Sequence, residues 1–90
     1  MDDLTGMRDE IDALDRNIIS LLGRRFQMTE TIGRYKAENA LAATDLVREA
    51  SQFAQLKRLA AEQGINESLI ETIYKCIIDE VVSNHKRLIN

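Results

Sequence analysis

The sequence contains no proline and no tryptophan, and it has one cysteine, one histidine and only four aromatic residues, two Tyr and two Phe. Each shortage excludes something. Without proline, nothing in the chain forces a helix to stop. A lone Cys76 cannot close an internal disulfide, and one cysteine with one histidine cannot build a closed zinc site; no metal or cofactor is expected. No apolar run approaches the length of a membrane span, and the opening MDDLTGMRDE lacks the basic start and apolar stretch of a secretory signal. A cytoplasmic protein is the expectation. A net charge of -3 disfavours a general attraction to nucleic acid or to an anionic membrane. An anion bound here must be met by a local cluster of cations.

What is present is helical periodicity. With 44% hydrophobic and 30% charged residues, the 90-residue chain reads as one domain, residues 1–90, near the size at which a single core is marginal. Apolar positions run Leu4, Met7, Ile11, Leu14, Ile18 and Leu21, then Arg25, then Met28, Ile32 and Tyr35, in alternating steps of three and four. That pattern predicts one helix from about Asp3 to about Ala37. The stretch AENALAATD loses the period and supplies Asn39, Thr44 and Asp45, so a loop precedes a second helix beginning near Asp45 and running to Gly64, a left-handed stop. Its expected buried face is Leu46, Ala50, Phe53, Leu56 and Ala60. Asn66 caps a third helix, with Ile65 and Ile70 spaced as a hydrophobic staple. That helix is expected to bury Leu69, Ile73, Ile77, Val81 and Leu88, with Tyr74, Ile78 and Val82 widening the stripe.

The fold class is therefore all-α, a three-helix protomer with one very long N-terminal helix. Roughly 33 residues of helix extend about 50 Å, whereas a compact chain of this size is a sphere about 30 Å across. The first helix cannot fit inside one protomer, and its apolar stripe needs cover from a second chain. An intertwined homodimer with two-fold symmetry is expected.

Arg25 interrupts the stripe of the first helix. Lys36 lies three helical turns beyond it and projects from nearly the same side, whereas Arg8 lies about 25 Å before it along the axis. Arg8 cannot share a small pocket with Arg25 of its own chain. In an antiparallel dimer, Arg8 of the partner subunit could meet Arg25 and Lys36, giving two shared sites. The alternative is an arginine that snorkels to the surface or pairs with Glu30 or Asp12. Arg24, Arg34, Lys57 and Arg58 are read as a solvated charged face.

The segments MRDEIDALDRNIISLLGRR, IGRYK, TDLVRE and IIDEVV, in this order and spacing, resemble the all-helical chorismate mutase family over almost the whole chain. The resemblance implies an intertwined dimer that rearranges chorismate, a small dicarboxylate, to prephenate on the route to phenylalanine and tyrosine. It implies that Arg25 and the partner's Arg8 hold the two carboxylates with Arg48 in support, and that Lys36 donates to the ether oxygen as its bond breaks. Glu49 would accept from the ring hydroxyl, with Asp45 beside it as a substrate contact or as a plain helix cap. Two positions depart from the family pattern. Where a second donor to the ether oxygen is usual, this chain has His85, and one turn earlier, where a small hydroxyl residue is frequent, it has Val81. His85 could donate as a neutral tautomer or, more strongly, as a cation, or it could simply favour the C-terminal dipole of its helix. The departures leave isochorismate-pyruvate lyase, aminodeoxychorismate mutase and a non-catalytic helical dimer as alternatives. Ending at Asn90, the chain is expected to couple to regulatory or dehydratase domains only between molecules.

Overall fold

The computed structural model describes residues 3–89 and contains three α-helices: α1 (Asp3–Glu38), α2 (Leu46–Glu62) and α3 (Glu67–Ile89). The helix boundaries lie within two residues of those predicted. At its C-terminus, α1 closes with the amide of Leu41 bonded to the carbonyl of Lys36 at 2.8 Å, around Ala40 at φ 55°. The end of α2 repeats the motif, Ile65 amide to Ala60 carbonyl at 2.8 Å around Gly64 at φ 70°. Glycine adopts that left-handed conformation freely, whereas Ala40 adopts it at a cost of about 1 kcal/mol. Asp45 caps α2, its Oδ1 accepting the Arg48 amide at 2.9 Å, and Asn66 caps α3 through the Leu69 amide at 3.1 Å.

The molecule is elongated, with principal extents of 59 × 23 × 15 Å. The long dimension is that of α1, because 36 residues at 1.5 Å each give about 54 Å. Helix α3 packs against both α1 and α2, whereas among the described residues α1 and α2 do not pack on each other. A cleft therefore opens between α1 and α2 with α3 as its floor. Only the C-terminal half of α1 meets α3, through Leu22, Arg25, Phe26, Thr29 and Gly33, and every residue from 3 to 21 is exposed.

The buried face differs from the expected one at several positions. On α2, Leu46 is 76% exposed and Ala50 is also exposed; the covered residues are Glu49, Gln52, Phe53, Leu56, Lys57 and Ala60, because among the described residues α2 has only α3 to lie against. On α3, Leu69, Ile73 and Leu88 are exposed, and the covered residues are Ile70, Tyr74, Ile77, Ile78, Val81, Val82, Asn84 and His85. Ile78 lies at the centre of these, between the two helices that flank α3, and the residues left outside project beyond the reach of both.

Candidate active site

One side of the cleft is a cavity of about 200 Å³ to which every element contributes. From α1 come Arg25, Thr29, Ile32 and Lys36, spaced by three and four so that they share one face. The connecting loop supplies Ala43 and Asp45, α2 supplies Arg48, Glu49 and Gln52, and α3 supplies Ile78, Val81, Val82 and His85. Of the residues expected at a site, Arg25, Lys36, Asp45, Arg48, Glu49, Val81 and His85 are thus brought together. Arg8 is not: it lies exposed on the N-terminal half of α1, outside the cavity of its own chain.

The turn around Ala40 folds the loop back so that Lys36 Nζ donates to the Ala43 carbonyl at 3.2 Å, which leaves the ammonium two further donors. Arg25 lies over the ring of Tyr74, 5.6 Å from its centroid, and its Nη1 is buried without an acceptor. Neither expected carboxylate neutralises it, because Glu30 pairs instead with Arg34 at 2.8 Å and Asp12 forms no ion pair among the described residues. Among the described residues, Arg25, Lys36 and Arg48 form no ion pair at all. Three cations and two carboxylates leave the wall one net positive charge, with the Asp45 carboxylate already accepting the Arg48 amide.

His85 is 97% buried, being only 3% exposed, and its Nε2 lies 2.7 Å from the Thr29 carbonyl oxygen. A carbonyl can only accept, so Nε2 carries the proton and donates. Nδ1 is buried with no partner. The bond exists because Gly33 has no side chain: a Cβ there would stand 2.5 Å from His85 Cδ2 and 2.9 Å from Leu88 Cδ1. Gly33 lies one helical turn beyond Thr29, so its bare backbone lets the ring reach that carbonyl. Gly33→Ala is expected to push the imidazole off α1 and lower stability by about 1–3 kcal/mol, read from urea unfolding. An unchanged midpoint would show that the ring is free to step aside.

A larger cavity of about 590 Å³ lies across the α1–α3 seam, sharing Thr29, Val81 and His85 as a common wall. Its charged residues are Glu30, Glu80 and Arg87, with Glu30 tied to Arg34 and Arg87 bonded to Asn84, so it lacks the cationic cluster. Sequence reasoning had not picked out Thr29, Ala43 or Gln52 for the smaller cavity. Gln52 could have been found, because it stands four residues beyond Arg48 and three beyond Glu49, on the same helical face.

The chain matches the family model described as chorismate mutase type II over residues 7–86. It is 32% identical over 88 residues to the bifunctional chorismate mutase/prephenate dehydratase of Buchnera aphidicola subsp. Schizaphis graminum, covering 98% of this chain and 23% of that protein. It is 33% identical over 88 residues to the T-protein of Haemophilus influenzae, covering 97% of this chain and 23% of the relative. It is 30% identical over 79 residues to the 4-amino-4-deoxychorismate mutase of Streptomyces venezuelae, covering 88% of this chain and 77% of the relative. The chain thus spans about a quarter of the length of the bifunctional relatives, and no helix of the described residues is long and apolar enough to cross a membrane. All of the cavity's residues, Arg25 to His85, lie inside the matched span, and the chain belongs to the chorismate mutase type II family.

Proposed function

We propose that the protein rearranges chorismate to prephenate, in a cavity built from the three helices of one chain and Arg8 of the partner subunit. The observation that carries this reading is the cluster of three cations without ion-pair partners around one small cavity. Cations held together repel unless an anion joins them. A volume of about 200 Å³ suits a ligand smaller than a typical drug molecule. The wall's single net positive charge becomes two when the partner's Arg8 is added, which matches a dicarboxylate.

The rearrangement is unimolecular: one C–O bond breaks as a C–C bond forms, and no acid, base or nucleophile is consumed. The protein has to hold the folded conformer and stabilise charge where it develops. Arg25 and the partner's Arg8 grip the carboxylates as bidentate, permanently charged donors, supported by Arg48. Lys36, steadied by the Ala43 carbonyl, turns its remaining N–H groups to the ether oxygen, which gains negative charge as its bond breaks. Glu49, half-buried at the start of α2, accepts from the ring hydroxyl. Val81 contributes an apolar wall. His85, its Nε2 bonded to Thr29, serves by fixing α3 against α1.

The dimer belongs to the same proposal. The chain exposes 7150 Å², whereas a folded monomer of its mass exposes about 5,300 Å². The surplus has the size of one side of an obligate interface. It includes the α1 stripe, where Met7, Ile11, Leu14, Ile18 and Leu21 are all more than half exposed. A second copy laid antiparallel covers that stripe and brings Arg8 to the cavity.

Following chorismate by absorbance with purified protein, and identifying the product, tests the activity. Prephenate is the expected product. Pyruvate would assign a lyase instead, and no turnover at high enzyme concentration would send the assay to the 4-amino-4-deoxy analogue.

A further inference from the structure

Besides its lysine, arginines and carboxylates, the cavity wall carries three polar side chains, Thr29, Gln52 and His85. Thr29 donates its hydroxyl to the Phe26 carbonyl at 3.1 Å. His85 spends its Nε2 proton on the Thr29 carbonyl, and its Nδ1 is covered. The rest of the α3 wall is Ile78, Val81 and Val82, which offer no polar atom. Gln52 alone of the three makes no side-chain hydrogen bond among the described residues, although it is half-buried and lines the cavity. A partly desolvated amide in a wall that includes those apolar side chains is unfavourable unless something polar pairs with it.

We propose that Gln52 is a substrate-contacting residue, donating a side-chain amide N–H to an oxygen of the bound dicarboxylate and thereby supplying the neutral donor that α3 does not. Its place on α2, one turn past Arg48 and Glu49, puts the amide on the face that already carries two groups assigned to the substrate. The amide adds two donors without adding charge, so it can approach an oxygen that Lys36 or an arginine already neutralises. A leucine of nearly the same volume would fill the same space and satisfy the apolar neighbours better. An amide at this position is explained by a ligand that uses it. This inference rests on the mutase reading above.

Two variants and the wild type, assayed for prephenate formation, test it. Gln52→Leu keeps the bulk and removes the donor; kcat/KM is expected to fall about ten- to a hundredfold, with the unfolding midpoint unchanged or raised. A loss confined to kcat places the bond at the ether oxygen, where charge appears only in the transition state, and a rise in KM places it at a carboxylate. Gln52→Glu keeps the shape but turns a donor into an anion facing a dianion. Its kcat/KM is expected to fall about a hundredfold or more near neutral pH and, relative to wild type at each pH, to recover as the new carboxyl is protonated into a donor. Asp45, Glu49 and His85 face the cavity beside Arg25, Lys36 and Arg48, and the ratio to wild type at each pH cancels what these groups contribute to both proteins. Wild-type turnover with both variants equally active would overturn the role of Gln52 alone. A wild type that makes no prephenate would overturn the function and this inference with it.

Discussion

Replacing Arg25 or Lys36 with alanine is expected to lower kcat/KM on chorismate by about a thousandfold or more in each case, while the helices stay folded. The reasoning starts from what these side chains do for the protein without substrate, which is little. Among the described residues Arg25 has no carboxylate partner, one of its nitrogens is buried without an acceptor, and its guanidinium lies over the face of Tyr74. Removing it forfeits a cation–π contact of about 0.5–1 kcal/mol and relieves a poorly compensated buried charge. Lys36 gives up one bond to a loop carbonyl. Beyond the Tyr74 ring under Arg25, neither change removes an apolar side chain from the seam with α3. For the reaction the balance reverses, because each group meets charge in a confined, partly desolvated cavity. The Lys36→Ala loss should fall mainly on kcat, since its target charge develops only as the C–O bond breaks, and the Arg25→Ala loss on both kcat and KM. Circular dichroism and a urea midpoint within about 1 kcal/mol of wild type accompany that result. An alanine variant that keeps wild-type turnover would refute the site; one that loses activity only by unfolding would make the residue structural.

Mixing inactive chains should restore activity, which is the second large effect. If Arg8 serves the partner's cavity, a dimer of one Arg8→Ala chain with one Arg25→Ala chain has one doubly mutated site and one intact site. Random reassociation of equal amounts after denaturation makes about half the dimers mixed, so total activity should return to about a quarter of wild type from two nearly dead preparations. Mixing Arg25→Ala with Lys36→Ala should restore nothing, because both side chains lie in the cavity of their own chain. Sites confined to one chain would give no recovery in either mixture. Sedimentation of the unmixed protein supplies the control, with a dimer at micromolar concentration expected from the apolar stripe on α1.

Much of this molecule follows from its sequence by short-range physics. The unbroken three-and-four spacing from Leu4 to Tyr35 and the absence of proline fix one long α1. Asp45, Gly64 and Asn66 mark the ends of the other helices through caps and a left-handed turn that depend only on neighbours in the chain. Two of the cavity's cations stood out in the same pattern, since Arg25 takes an apolar place in the period and Lys36 repeats its angular position three turns on, but spacing alone favoured a snorkelling or paired arginine over a binding site. The gathering of Asp45, Arg48 and Glu49 with them was legible only through family resemblance.

The tertiary structure decided what depends on which helices meet. Periodicity marks a helix's apolar face without naming its partner, so Leu46, Leu69 and Ile73 read as core and lie exposed, because among the described residues α2 and α1 each pack on α3 and not on each other. The same arrangement opens the cleft and makes Gln52 a wall residue instead of a surface amide. It also settles the surroundings of His85. Read along the chain, His85 was a donor or a favourable charge at a helix end. In three dimensions its ring packs on Gly33 and its proton goes to the Thr29 carbonyl, 56 residues away, since only the crossing of α3 over a side-chain-free turn of α1 brings that carbonyl within reach.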